Sequence, residues 1–169
     1  MGRLTVRHKT IVIVAVAVVL GSLAGLAWYL KAHAGPIPSS IKHKLGFAVL
    51  YPQQNVPNLA VQRASLSYDE ASGGLSYAVR LSGKKVVITE QPTPSIFNEA
   101  GTYSFKLNQA HNYAHFTTTN GDVDLTKPDG LQNQTVAWAN TKGVLVLAHA
   151  FQNLDNTEWK TLFDNLRPL

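Results

Sequence analysis

At 169 residues the chain has room for one domain of roughly 100–150 residues and a short extra segment. It has no cysteine, which excludes sortase-like and papain-like catalysis, thioredoxin chemistry and cysteine-ligated zinc. Its net charge of +5 is uneven: Arg3, Arg7, Lys9 and Lys31 give residues 1–34 a charge of +4, while 11 basic and 10 acidic side chains leave the rest at +1.

That near-neutral remainder argues against a nucleic-acid partner, because phosphate backbones demand cations clustered on a folded surface. The basic residues instead flank an apolar stretch. Ile11 to Leu30, IVIVAVAVVLGSLAGLAWYL, is 20 residues without a charge. As a helix it rises about 30 Å, the thickness of a bilayer's hydrocarbon core. Trp28 and Tyr29 suit the lipid–water interface at its end. The segment is therefore expected to be a transmembrane helix bounded by Ile11 and Leu30, an uncleaved signal-anchor. The alternative is a cleaved signal peptide, with Ala32-His33-Ala34 as the small-x-small site and cleavage after Ala34. Its apolar run exceeds the usual ~7–15 residues.

Arg3, Arg7 and Lys9 precede the helix, and Lys31 stands alone after it until Lys42. By the positive-inside rule the N-terminus is cytoplasmic and the C-terminal domain lies outside. The expected layout is a tail over 1–10, the span over 11–30, a linker over 31–40 and an extracytoplasmic domain over 41–169. Gly21 and Gly25 have the spacing that lets two membrane helices approach closely. Pro36 and Pro38 stiffen the linker.

Beyond the linker the pattern is mostly that of strands. Phe47–Tyr51, closed by Pro52, reads as the first, and 61–68 as the second, followed by a loop over 69–74. Leu75, Tyr77, Val79 and Leu81 alternate with Ser76, Ala78 and Arg80, a half-buried strand. Lys85–Glu90 forms the fourth, stopped by Pro92 and Pro94. The spacing of Ile96, Phe97, Ala100 and Tyr103 predicts a short helix within 95–107. Residues 112–119 resume a strand, turned by Asn120-Gly121, with a further turn at Lys127–Gly130. Gln132–Trp138 and Val144–His149 pair as a hairpin across Asn140–Gly143. The chain ends in an amphipathic helix: Asp155 and Glu158 have capping-box spacing, and Trp159, Leu162, Phe163 and Leu166 mark one face. The fold class is α+β, with a mainly antiparallel sheet of about seven strands and the C-terminal helix packed on one face.

The order of parts, from "IPSSIKHKLGFAVLYP" through "KKVVITEQPTP" to "TVAWANTKGVLVLAHA" and "WKTLFDNLRPL", resembles uncharacterised bacterial single-pass membrane proteins with a small extracytoplasmic α+β domain. The layout is similar to the outer domains of some transmembrane anti-sigma regulators. The resemblance implies fold and location and carries over no catalytic residue. The short inner tail has no counterpart to the cytoplasmic region with which such regulators hold a sigma factor.

No residue pattern here specifies chemistry. His111 and His115 have metal-binding spacing, but Asn112 stands where a metalloprotease has glutamate. Asp122, Asp124 and Asp129 crowd one loop, yet Lys127 occupies the position of a calcium loop's glycine. Ser82-Gly83-Lys84-Lys85 and Ser39-Ser40-Ile41-Lys42 match Ser-x-x-Lys without the companion motifs of penicillin-recognising enzymes. No acid precedes Asp69, against a type IV pilin, whose helix carries an early glutamate. Trp138, Tyr77, Phe47 and Tyr51 are aromatics that would line a groove or, more ordinarily, fill the core.

No catalytic residue, metal site or cofactor is therefore assigned, and the binding residues are unknown. The expected role is a non-enzymatic binding or sensing module of the cell envelope. Its partners are membrane lipid, through the helix, and an envelope protein or peptide, with no nucleic acid. The alternative is an anchored hydrolase, for which His111, His115, Asp122 and Asp124 are the first suspects.

Overall fold

The computed structural model describes residues 36–95, 112–127 and 134–169, with the backbone alone at Asn112 and Tyr113. The span Ile11–Leu30, the short helix predicted around Ile96–Tyr103, the turn residues 128–130 and His111 lie outside them. Among the described residues no helix is long and apolar enough to cross a membrane. Ser39–Leu169 forms one compact unit.

In chain order this unit contains α1 (Ser39–Lys42), β1 (Leu50–Pro52), β2 (Leu59–Asp69), β3 (Gly74–Leu81), β4 (Lys84–Pro92), β5 (Asn112–Thr118), β6 (Gly121–Thr126), β7 (Thr135–Thr141), β8 (Val144–Ala150), α2 (Asn156–Asp164) and β9 (Leu166–Pro168). Seven strands make one sheet in the order β2-β3-β4-β8-β7-β6-β5, with every pair antiparallel. It consists of two meanders, β2 to β4 and β5 to β8, joined side by side where β4 pairs with β8. The class is α+β with a mainly antiparallel sheet, as the alternation predicts.

Turn chemistry sets the hairpins. Ser82 and Gly83 have φ of 50° and 81°, and Lys142 and Gly143 have 51° and 78°. Each pair is a two-residue loop with both φ positive, whose twist matches that of the flanking strands. The register then alternates the faces. Tyr77, Val79 and Leu81 of β3 share one face with Val86 and Ile88 of β4 and with Ala148 and Ala150 of β8. All of these are buried. Ala137 and Ala139 of β7 and Val123 and Leu125 of β6 extend it.

Helix α2 covers this core face. Its Trp159, Leu162 and Phe163 are fully buried, and the alanines of β7 and β8 leave room for the two large rings. Asp155 caps it in a complete capping box with Glu158. Glu158 also receives Lys84 Nζ at 2.8 Å, while Asn120 Nδ2 donates to the Phe163 and Leu166 carbonyls at 2.6 and 2.9 Å. Lys84 and Asn120 stand at opposite ends of the sheet, so the helix crosses it diagonally.

Several strand ends shift by one to three residues, as where β7 runs to Thr141 instead of ending at Trp138, and two shifts change the architecture. The first strand is not Phe47–Tyr51 but Leu50–Pro52, and it lies outside the large sheet, paired with the C-terminal β9. Leu166 is not on the helix: α2 ends at Asp164, and Leu166 begins β9. Pro168 supplies the reason, because it forces the residue before it out of the helical region, so the chain turns extended before the apolar periodicity runs out.

Candidate functional site

The second face of the sheet carries the residues out of phase with the core. Arg80 and Lys85 are direct partners across β3 and β4, and the Ser82–Gly83 turn fixes that opposition. Like charges placed opposite one another destabilise a strand pair, and among the described residues neither cation has an acidic partner. Arg80 Nη1 donates to the Gly83 carbonyl at 3.2 Å. Lys85 Nζ stands 5.7 Å from the centre of the Phe151 ring. Phe151, just past β8, is 46% exposed and lies 4.4 Å from the His149 ring. Arg80, Gly83, Lys85, Phe151 and Gln152 line an open cleft of about 310 Å³. A large apolar ring partly exposed to solvent beside two cations is the arrangement on this surface that most resembles a place for a ligand.

The predicted hydrolase residues lie elsewhere, at the far edge of the sheet. His115 of β5 is the cross-strand partner of Asp124, and Thr117 of Asp122. Asp122 and Asp124 are therefore strand residues of β6 rather than members of one loop; the turn ends at Gly121, whose φ is 103°. His115 Nδ1 is 2.9 Å from Asp124 Oδ1, and its Nε2 is 4.0 Å from Asp122 Oδ1. Thr117 Oγ1 donates to Asp122 at 2.8 Å. The Asp124 hydrogen bond raises the pKa of His115 above its ordinary value. The two carboxylates favour the protonated imidazole, the form that has no lone pair to take a proton from a nucleophile. Among the described residues no three His, Asp or Glu side chains are disposed to hold a metal ion.

The four aromatics do not line one groove. Tyr51 and Tyr77 are buried together, ring centres 5.3 Å apart. Trp138 is on the opposite face, its indole donating to Thr126 Oγ1 at 3.1 Å. Phe47 is half-buried in an irregular segment.

Glu90 is the chemically distinctive residue that the sequence reading passes over. It is completely buried, on the core side of β4 between Leu75 and Val146. Its Oε2 accepts the Leu50 N–H at 2.7 Å. Its Oε1 is 2.8 Å from Tyr77 Oη, which is also 2.7 Å from the Leu50 carbonyl oxygen. A phenol has one proton. If Tyr77 donates to Leu50, the contact with Glu90 needs a proton on Oε1. A neutral carboxyl closes a ring of three hydrogen bonds, whereas a carboxylate leaves two oxygens facing without a proton. Burial acts the same way, raising the pKa of Glu90 to about 7 although its two hydrogen bonds oppose the rise. Burial likewise raises Tyr77 well above its ordinary range, so the phenol stays protonated. The signal was present: Glu90 is in phase with Val86 and Ile88, at a position the alternation assigns to the core.

Compared with known proteins, the chain matches no family model, no curated protein and no solved structure.

Proposed function

We propose that this chain is a membrane-anchored binding or sensing module of the cell envelope and not an enzyme. Ile11–Leu30 is the single-pass anchor, residues 1–10 are cytoplasmic, residues 31–40 are the linker and residues 41–169 form the outer domain. The uncharged span and the lopsided charge around it support this topology. A sensing role, as in the outer domains of the transmembrane regulators whose layout it resembles, belongs to the same proposal.

The observation that carries the binding reading is the cleft beside Phe151: two opposed cations and an exposed ring, kept at a cost to the sheet. The hydrolase reading has the 2.9 Å contact of His115 with Asp124 in its favour. The second carboxylate, beyond Nε2, weighs against it.

The chain has no native cysteine, so single cysteines report topology cleanly. In intact cells a membrane-impermeant maleimide should label Ser72→Cys and spare Thr5→Cys. The reverse pattern, or recovery of the full chain in the cytosol without detergent, refutes the anchor. Turnover of an ester, phosphoester or peptide substrate that disappears with His115→Ala refutes the non-enzymatic part.

A further inference from the structure

We infer that the cleft between Arg80, Lys85 and Phe151 binds a small organic anion built on a ring, with the charge between the two cations and the ring face on Phe151. This inference rests on the binding-module reading and names the ligand chemistry that reading leaves open.

The opposition of Arg80 and Lys85 works against the strand pair that carries it. Arg80 and Lys85 face one another across neighbouring strands with no acid among the described residues to relieve them. Some exposed cations of this domain have carboxylate partners, Lys44 with Glu70 and Lys160 with Asp164 at 3.0 Å, while among the described residues Lys42, Arg63 and Lys142 have none. Arg80 and Lys85 differ from these in standing directly opposite one another beside an exposed aromatic ring. Opposed guanidinium and ammonium groups can take one carboxylate or phosphate between them, the guanidinium offering paired donors and the ammonium a point charge.

The rest of the lining defines what carries that charge. Phe151 offers a partly exposed ring, held in place by His149 against it and Lys85 over it. An apolar face laid on that ring is removed from water, which an inorganic anion does not exploit. Gln152 adds an amide able to donate or accept. The volume of about 310 Å³ is at the small end of ligand pockets, which run from about 300 to 1,000 Å³. It suits one ring with its charged substituent. Two sources share this chemistry, a carboxylate-bearing sugar and an aromatic acid.

Nuclear magnetic resonance titration of the full ¹⁵N-labelled chain in neutral detergent micelles tests the inference. The probes are glucuronate, benzoate, neutral glucose and inorganic phosphate. Glucuronate or benzoate should shift the amides of Gly83, Lys85 and Gln152 saturably, and whichever binds identifies the source. Arg80→Gln and Lys85→Gln should each weaken that binding about five- to tenfold, as loss of one charge-assisted contact at an open site would. Phe151→Ala should abolish the advantage over inorganic phosphate.

A purely structural role for Lys85 predicts a lower melting temperature for Lys85→Gln. The inference predicts an unchanged or higher one, since the substitution removes a repulsion. Absence of a saturable shift with both ring-bearing anions, phosphate binding as tightly as either, or unchanged binding by the two charge variants overturns it. None of those results bears on whether the chain is an enzyme, so this failure is distinguishable from failure of the underlying reading.

Discussion

Glu90 couples the domain's stability to pH through one proton. Its pKa is about 7 in the folded chain against an ordinary 4.5. Between those values the folded state holds a proton that the unfolded state has released, so stability falls as pH rises. The full contribution is present below about pH 4.5 and is lost by about pH 7, a difference of about 3 kcal/mol. Chemical denaturation at intervals from pH 4.5 to 8 should show that decline. Glu90→Gln should flatten it and be more stable than the parent above pH 7. The amide still accepts from Leu50 N–H, and its NH₂ can donate to Tyr77, without a charge to bury. A stability profile that rises over this interval, or a glutamine variant with the same slope, would refute the neutral-carboxyl account. At this scale the sequence was half legible. Alternation along Val86, Ile88 and Glu90 marks an inward position, but the residue type argues the other way. The partner that makes burial tolerable is the peptide group of Leu50, which any residue would offer, so nothing in the composition announces it.

The terminal helix illustrates what is legible for an element. Asp155 and Glu158 announce the start, and the structure completes both bonds of the box: Glu158 N–H to Asp155 Oδ1 at 2.8 Å and Asp155 N–H to Glu158 Oε2 at 2.9 Å. Because Glu158 also holds Lys84, the cap fixes the helix to the β3–β4 hairpin as well as starting it. Asp155→Ala should cost about 1 kcal/mol in thermal or denaturant unfolding. A loss below a few tenths would mean that water already satisfies the N–H groups of the first turn. The other end was misread because helical spacing continues through Leu166 while the backbone does not. Asn165, with φ −105° and ψ 5°, caps the helix, and Arg167, before Pro168, must be extended. Leu166 is buried all the same, so the apolar pattern was correct about burial and silent about conformation. The first strand shows the same limit. Leu50–Pro52 is set by its partner β9, 116 residues away by the Tyr51–Arg167 pairing, and Pro52 is tolerated because β1 has one neighbour and needs no N–H on its free side.

For the whole molecule, sequence patterning captured contacts made through turns and missed those made at a distance. Hairpins are local, with their instructions in Ser82-Gly83 or Lys142-Gly143. The β4–β8 seam and the β1–β9 pair join segments whose residues look the same whatever they meet. The β1–β9 register has a mechanical consequence. Leu50 pairs with Pro168 and Pro52 with Leu166, and Leu169 N–H bonds the Val49 carbonyl at 3.1 Å. The incoming and outgoing ends of the chain therefore meet at the same end of this two-stranded sheet. Force applied between them opens the pair one hydrogen bond at a time instead of shearing all of them together. With handles at Gly46→Cys and a cysteine appended after Leu169, stretching should first release Leu166–Leu169, about 14 Å of chain, at low force. The seven-stranded sheet should then unfold in a separate, larger step. β1 stays tied to the sheet through Glu90 and Tyr77 after β9 has peeled. Raising the pH from 5 to 8 should therefore lower the force of the second step while leaving the first nearly unchanged. A single rupture with no early release, or a pH effect confined to the first step, would show that the C-terminal strand and the Glu90 ring open together, contrary to the order their geometry dictates.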